Sequence, residues 1–334
     1  MQSLLQALGI TRTPKKRHRG SSLPILQLAP AQSVTPELLQ FLRNHHLLPA
    51  FTLRCQRSTI DGTICQKALE LHQSDAYAGD RYELRCETHH DHISIRRGSF
   101  FESRRLPLTQ QLYVFHLLAS GASTSTITTF FQEAKLYRET VTSMLRELAM
   151  RMWSILQEKH RPVFTPRDEI EIDEMWMNWT KWEERVSPNA RITDWKEGQW
   201  VIGIMDRARS KLWIECIPNR RRNTIQQIVD PMLKTWLLLK PRVHTDALKS
   251  YEYLAKENTH YVINKVKDGF AIKEKTFWGH SVNVNVNQIE STWMHLRKHL
   301  SMRYAYRCPQ FAQLYIAEYM YNWYKLDWLD LIKY

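Results

Sequence analysis

One nine-residue stretch, residues 168–176, constrains the fold of this chain more than any other. Its sequence, DEIEIDEMW, alternates acidic and apolar residues. A period of two is typical of a β-strand whose two faces have different surroundings. Acids are unusual in a strand that enters the middle of a domain, because a buried charge must be paired. The pattern therefore predicts a half-buried strand in which at least one acid has a functional role, and we assign that role to Asp173.

Two more acids stand at the ends of predicted elements further along the chain. Asp246 ends the short β-like run RVHTD, and Glu290 opens an amphipathic helix in the string NQIESTW. We predict that Asp173, Asp246 and Glu290 form one acidic cluster. Three carboxylates at one point raise one another's pKa unless cations lie among them. Two Mg²⁺ or Mn²⁺ ions would satisfy such a cluster and support phosphodiester chemistry without a nucleophilic side chain.

Each member of this trio has an alternative interpretation. An acid on a strand is often part of a solvated face, and Glu290 could be an ordinary first-turn acid favoured by the helix dipole. Arg207 and Arg209 follow Asp206, so this acid could belong to a turn or to an ion pair. The acids that could replace Asp173 as the working carboxylate are Glu169, Glu171, Glu174 and Asp206.

Composition restricts the class of protein. The 334 residues are 43% hydrophobic, which excludes a disordered chain, and the formal net charge of +13 favours a polyanionic partner such as nucleic acid. Five cysteines are too few for a disulfide scaffold in a chain of this length, so they indicate a reduced compartment and a metal site. No run approaches 18 apolar residues, so we predict an intracellular protein without a membrane span.

Residues 1–50 are predicted to be a basic arm followed by a short helix. Thr35-Pro36 is a helix start, and the helix should reach about His46. The arm is interpreted as a DNA-contacting segment or a nuclear import signal, with a solvated tail as the alternative. Its basic residues are Arg12, Lys15, Lys16, Arg17 and Arg19.

Residues 51–103 are turn-rich and contain three of the five cysteines. Cys86 and His89 are spaced as one half of a tetrahedral zinc site. Cys55 and Cys65 are a weaker half, because the nine residues between them require a bulging loop. His90 or His72 could replace His89, and buried structural cysteines remain the alternative to a metal site.

Residues 104–162 are predicted to form three helices. Their lengths fit a helix-turn-helix-like module, and Arg138, Arg146 and Arg151 lie on the third helix. A plain helical spacer is the alternative interpretation.

Residues 163–334 are predicted to be an α/β domain of RNase H-like type. Three strands, a helix, a strand, a helix, a strand and closing helices give a mixed sheet in which strands one and four are neighbours. Arg220, Arg221 and Arg222 could grip phosphates near a cleaved bond. Tryptophans after the first strand could stack on a displaced base or, alternatively, pack a hairpin or a dimer contact: Trp176, Trp179, Trp182 and Trp195.

Several strings, taken together and in order, resemble DNA transposases of the Merlin superfamily and their bacterial insertion-sequence relatives. They are EIDE at residues 171–174, VIGI followed by Asp206-Arg207, HTD at residues 244–246, NQIESTW at residues 287–293, and RCETH at residues 85–89. The resemblance covers about residues 51–326. It implies that Asp173, Asp246 and Glu290 are a DDE triad and that the zinc ligands are Cys55, Cys65, Cys86 and His89. This sequence departs from the family pattern at two places. The gap between Cys55 and Cys65 is wide, and Asn285 stands where many relatives have a histidine.

We therefore expect a multidomain α+β DNA transposase. It should bind terminal inverted repeats in double-stranded DNA, cut with two Mg²⁺ or Mn²⁺ ions, join 3′-hydroxyl ends to target DNA, and carry a structural Zn²⁺. Pairing of two ends predicts a homodimer or larger homo-oligomer, and the basic arm predicts the nucleus rather than a bacterial cytoplasm. The alternatives are a domesticated, non-catalytic DNA-binding protein and a nuclease without strand transfer.

Overall fold

The computed structural model of the chain describes residues 33–74, 80–131, 137–178, 198–233, 241–256, 259–269, 271–275, 281–304 and 309–333. The chain forms two compact units, one of residues 1–148 with 327–334, the other of residues 149–326. The division into four segments made from the sequence stays a prediction. The five basic residues between Arg12 and Arg19 lie outside the described residues.

The first unit combines a small antiparallel sheet with helices. Helix α1 (Pro36–Asn44) begins as predicted, because the Thr35 hydroxyl accepts the Leu38 N–H at 3.2 Å. Strands β1 (Glu70–Gln73), β2 (Tyr82–Arg85) and β3 (His92–Ser94) form one sheet in that order. The three predicted helices follow as α2 (Leu108–Ala119), α3 (Thr124–Phe130) and α4 (Arg138–Lys159), and the residues of α4 after 148 belong to the second unit.

A buried ion pair fixes the start of α2 to the segment around the small sheet. Arg96 Nε lies 2.7 Å from Asp80 Oδ2, and the other oxygen of Asp80 accepts the Leu108 N–H at 2.9 Å. Arg96 Nη1 also donates to the carbonyls of Arg104 and Leu106. Because Asp80 is completely buried, these contacts compensate for the loss of water around its charge.

The second unit is built on a five-stranded mixed sheet in the order β6-β5-β4-β7-β8. Strands β4 and β5 and strands β5 and β6 are antiparallel, whereas β7 is parallel to both β4 and β8. The predicted pairing of strands one and four is confirmed, and the sheet fits an RNase H-like domain. The strands are β4 (Glu169–Asn178), β5 (Gly198–Asp206), β6 (Leu212–Ile217), β7 (Arg242–Asp246) and β8 (Thr259–Ile263).

The other elements of this unit differ in places from the sequence expectations. The helix predicted after the third strand begins at Arg222, and the one predicted after the fourth strand is a 3-10 helix, Lys249–Lys256. A two-stranded hairpin before the closing helices was not in the predicted order of elements. The elements are α5 (Arg222–Val229), α6 (Lys265–Asp268), β9 (Ile272–Lys275), β10 (Ser281–Val284), α7 (Asn287–Arg303) and α8 (Ala312–Trp323).

Burial of β4 excludes a solvated acidic face at its centre. Ile170 and Ile172 are fully buried, as the alternation predicts, but Glu171 is also 0% exposed and Asp173 is 7% exposed. The strand is central in the sheet, with neighbours on both sides and α7 on one face. Its acids therefore lie inside the domain, where each needs a partner.

Close packing of α7 on the sheet depends on Gly203 in β5. A Cβ at this position would lie 2.4 Å from the Trp293 ring and 2.8 Å from Ile289 Cδ1. Gly203 is also the register partner of Asp173. The absence of a side chain at residue 203 thus lets α7 approach β4 and β5 where the predicted catalytic aspartate stands.

We expect Gly203→Ala to lower the free energy of unfolding by about 1–3 kcal/mol, because the new methyl group overpacks the contact with Trp293. Urea unfolding would measure the loss. The double variant with Trp293→Phe should recover part of it, since the smaller ring leaves room for the methyl. Equal stability of Gly203→Ala and the parent protein would contradict this packing.

Candidate active site and metal-binding cluster

The sheet brings Asp173 and Asp246 to neighbouring strands. Glu171 and His244 are the last pair in the parallel register of β4 and β7, and Asp173 and Asp246 each lie two residues beyond it. Asp246 Oδ1 accepts the Leu248 N–H at 3.0 Å, which fixes its side chain at the end of β7. Residues that are far apart in sequence thus meet at one edge of a parallel strand pair.

Helix α7 brings the third predicted acid to the same strand. Trp293 Nε1 donates to Asp173 Oδ2 at 3.0 Å, and Glu290 lies three residues earlier, in the first turn of α7. Residues three apart lie on the same side of a helix. Glu290 is half-buried there, and the ligand atoms of the three acids do not all lie within 4.8 Å of one another.

Glu171 holds the start of α7. Val286 at the N-cap makes no side-chain hydrogen bond; instead the N–H groups of Gln288 and Ile289 donate to Glu171 Oε2 at 2.9 and 3.0 Å. Burial raises the pKa of Glu171, but these N–H groups and the neighbouring Arg207 favour its charged form. A carboxylate at this position also interacts favourably with the helix dipole. An acid that could have been the working carboxylate therefore has a positioning role.

Arg207 connects β4 to the segment that leads into α7. Its Nε lies 3.1 Å from Glu171 Oε1, and its Nη1 lies 3.0 Å from Glu169 Oε1. The same guanidinium donates to the carbonyls of Asn283 (2.7 Å) and Asn285 (2.8 Å). The expectation of an ion pair at Arg207 is confirmed, although its partners are on β4 rather than at Asp206.

His244 completes this network as a neutral side chain. Its ring is fully buried, with Nε2 2.7 Å from Glu169 Oε1 and Nδ1 3.3 Å from Arg207 Nη2. Burial lowers the pKa of His244 to about 3, and the charges of Arg207 and Arg242 add to this effect. The imidazole is therefore uncharged near neutral pH, beside two guanidinium groups.

Burial and the charges of Asp173 and Asp246 contribute to raising the pKa of Glu174 and the pKa of Tyr251. The Tyr251 hydroxyl donates to Glu174 Oε1. Burial raises the pKa of Glu174 to about 7; the tyrosine opposes this shift, and Asp173 and Asp246 both add to it. The site thus has a surplus of negative charge that a divalent cation would relieve.

Asp206 has a structural role in the turn between β5 and β6. Its carboxylate accepts the Ser210 hydroxyl at 2.7 Å and the Lys211 N–H. The Arg209 N–H donates to its carbonyl at 2.9 Å. The expected turn at Asp206 is confirmed.

A second cluster lies in the first unit, where the ligand atoms of four side chains all lie within 4.8 Å of one another: Cys55, Cys65, Cys86 and His89. Among the residues that the structure describes, no other group of three or more potential ligands is this compact. His89, rather than His72 or His90, completes it. Burial raises the pKa of Cys86, but the backbone N–H and ring of His89 lower it to about 6 overall.

A β-hairpin brings Cys55 and Cys65 together, although nine residues separate them in the sequence. The Gln66 N–H donates to the Cys55 carbonyl, and the Cys65 N–H donates to the Arg57 carbonyl, both at 2.9 Å. Gly62 at the tip has φ +83°, a conformation that favours glycine. The two cysteines therefore face each other across a hairpin, and the expected bulge is an ordered turn.

Distances within this cluster fit one tetrahedral metal ion. Cys65 Sγ lies 3.8 Å from Cys86 Sγ, and His89 Nδ1 lies 3.4 Å from Cys55 Sγ and 3.6 Å from Cys86 Sγ. Tetrahedral Zn²⁺ with ordinary bond lengths separates two sulfurs by about 3.8 Å and a sulfur from a nitrogen by about 3.5 Å. The four residues could hold such an ion.

The predicted DNA-contacting residues differ in their exposure to solvent. Arg138 and Arg146 are half-buried on α4, whereas the three arginines from residue 220 to 222 are exposed at the start of α5. Trp176 is partly exposed on β4. Trp179, Trp182 and Trp195 lie outside the described residues.

Residues 167–323 match the family model of the ISXO2-like transposase domain. The match supports a DDE transposase family for this segment and suggests a DNA-cleaving enzyme. Placement in the Merlin superfamily stays a prediction. No curated protein matches the chain. No helix among the described residues is long and apolar enough to cross a membrane.

We expect Arg207→Ala to lower the free energy of unfolding by about 3–5 kcal/mol, because it leaves Glu171 buried without its cation. Arg209→Ala is the matched control. Arg209 is exposed and bonds Gln288 at 3.2 Å, so its loss should cost less than about 1 kcal/mol. Chemical unfolding of both variants would compare them, and similar losses would count against the network.

Proposed function

We propose that the protein is a DNA transposase that binds terminal inverted repeats, cleaves at the transposon ends and joins the 3′-hydroxyl ends to target DNA. The observation that carries this proposal is the ISXO2-like match, which spans all three predicted catalytic acids. Their positions on β4, β7 and α7, with Asp173 and Asp246 on paired strands, support it independently.

Asp173, Asp246 and Glu290 would hold two Mg²⁺ or Mn²⁺ ions. Carboxylate oxygens are the ligands these ions prefer, and the crowding of charge around Asp173 fits a cation-binding centre. Bound there, the ions would activate water or a 3′-hydroxyl and stabilise the leaving oxygen. In this site Trp293 orients the Asp173 carboxylate, and Glu171 with Arg207 holds the helix that presents Glu290.

The first unit would recognise the transposon end. Its Cys55, Cys65, Cys86 and His89 cluster would bind a structural Zn²⁺, and helices α2 to α4 would form the helix-turn-helix-like module. A homodimer would pair the two ends. The basic arm would direct the protein to the nucleus.

We expect the purified protein to nick a labelled duplex carrying the element's own end in Mg²⁺ or Mn²⁺. Asp173→Asn, Asp246→Asn and Glu290→Gln should each lower the rate by at least about a hundredfold while binding persists, because each removes a charged metal ligand. Glu252→Gln is the charge-matched control, since Glu252 is exposed six residues after Asp246.

Binding of the end without cleavage by the parent protein would instead favour a domesticated DNA-binding protein. Equal cutting of the element's end and of random duplex would favour a nuclease without end recognition. Unchanged cleavage by any of the three acid variants would remove that acid from the proposed triad.

Zinc binding gives a separate expectation. Metal analysis should find about one zinc ion per chain in the parent protein and little in Cys65→Ser, which removes one of four ligands. Cys216→Ser is the matched control, because Cys216 is a free cysteine on β6, outside the cluster. A parent protein without zinc, or equal zinc in both variants, would show that the cluster is not a zinc site.

A further inference from the structure

Tyr251 connects the segment after Asp246 to β4. It lies on the 3-10 helix Lys249–Lys256, its side chain is completely buried, and its hydroxyl donates to Glu174 Oε1. Burial raises the pKa of Tyr251 well above the usual value of a tyrosine, so the hydroxyl keeps its proton and remains a donor. Glu174 follows Asp173 directly on β4. The bond thus joins the strand of one predicted metal ligand to the chain that follows another.

This bond lies beyond the end of the ladder between β4 and β7. The last register pair of these two strands is Glu171 with His244, whereas β4 continues to Asn178 in its pairing with β5. Glu174 therefore stands on the part of β4 that follows the last pair with β7. There the Tyr251 hydroxyl supplies a contact between β4 and the chain that leaves β7.

Backbone contacts tie the same short helix to Asp246. Asp246 Oδ1 accepts the Leu248 N–H at 3.0 Å, and the Leu248 carbonyl accepts the Tyr251 N–H at 3.0 Å. The neighbouring Ser250 hydroxyl donates to the Arg220 carbonyl at 2.6 Å. A displacement of Tyr251 would therefore reach the Asp246 carboxylate through two hydrogen bonds.

We propose that Glu174 and Tyr251 are positioning residues for the Asp246 carboxylate, and that their hydrogen bond raises the affinity of the acidic site for a divalent cation. Neither residue needs to touch the cation. Successive side chains of a strand point to opposite faces, so Glu174 lies on the face away from the contact between Asp173 and Trp293. This inference rests on the proposed function and adds two residues to its site.

The position of Asp246 explains why it needs such support. It is the last residue of β7, so the strand holds it from one side only. Partners that orient a metal-binding side chain without touching the metal typically contribute about 10- to 100-fold to metal affinity. The turn at Leu248 and the bond from Tyr251 to Glu174 are such partners for Asp246.

The test is a titration of the full chain with Mn²⁺ in the absence of DNA, in which the electron paramagnetic resonance signal reports the free ion. Tyr251→Phe removes the hydroxyl and keeps the buried ring, and we expect it to weaken Mn²⁺ binding about 10- to 100-fold. Glu174→Ala should cause a similar loss. Glu174→Gln should lose less than Glu174→Ala, because its amide oxygen still accepts from Tyr251.

A double variant tests whether the two residues act through one bond. The losses of Mn²⁺ affinity in Tyr251→Phe and Glu174→Ala should not add when the two changes are combined, because each change removes the same interaction. Fully additive losses would overturn the proposal.

Tyr324→Phe is the matched control. The Tyr324 hydroxyl accepts the Leu212 N–H at 2.9 Å and donates to the Leu212 carbonyl at 2.7 Å, so its loss removes hydrogen bonds from β6 of the same sheet. Both tyrosine variants should unfold at lower urea concentration than the parent protein, but only Tyr251→Phe should bind Mn²⁺ more weakly. Unchanged Mn²⁺ affinity in Tyr251→Phe, or an equal loss in Tyr324→Phe, would overturn the proposal.

Asp246→Asn separates this inference from the proposed function. If this variant binds Mn²⁺ as tightly as the parent protein, the proposed cation centre fails and this inference fails with it. A protein that cuts its transposon end and binds Mn²⁺ equally well after Tyr251→Phe would keep the proposed function and lose this inference. A protein that never cuts, yet loses Mn²⁺ affinity in Asp246→Asn and Tyr251→Phe but not in Tyr324→Phe, would keep the positioning pair and lose the transposase proposal.

Discussion

The geometry of the acidic site depends on the buried Glu171 carboxylate. One of its oxygens receives two N–H groups from the first turn of α7, and the other faces Arg207. The helix start would otherwise leave polar N–H groups unsatisfied against the sheet, and the acid would otherwise be an unpaired buried charge. The carboxylate thus accepts the N–H groups of α7, and these N–H groups stabilise the buried charge of Glu171. The direct consequence is that Glu290 is held at a fixed position relative to β4.

The same strand separates structural acids from the predicted catalytic ones. Glu171 and Asp173 both face α7, but Glu171 meets backbone N–H groups and a guanidinium, whereas Asp173 meets the indole N–H of Trp293. A cationic partner fixes and neutralises a carboxylate, while an indole N–H orients it without cancelling its charge. This difference supports Asp173 over Glu171 as the metal ligand. Gly203 makes the difference possible, because it lets Trp293 lie against the sheet.

Much of the fold was predictable because its elements have strong local signals. The alternating residues of β4, the Thr35 cap and the three helices of residues 108–159 all occur where the sequence indicated. The hairpin of β9 and β10 was missed, because its four-residue strands have too few apolar residues to indicate a strand. The hairpin between Cys55 and Cys65 was missed for a related reason: its signal is the tip glycine, Gly62, rather than any periodicity. Both features depend on backbone hydrogen bonds that side-chain patterns do not reveal.

The sequence by itself determined the residue types of the candidate site and their elements: an acid on a central strand, an acid ending a later strand, an acid opening a helix, and four zinc-type ligands. Only the tertiary structure decided which acids have structural partners. Glu169 meets Arg207 and His244, Glu171 caps α7, Asp206 closes a turn, and Asp173 and Asp246 each lie two residues beyond the last pair of β4 and β7. The reason is physical. The state of a carboxylate depends on the donors and charges around it, and a parallel strand pair brings those groups from positions far apart in the chain.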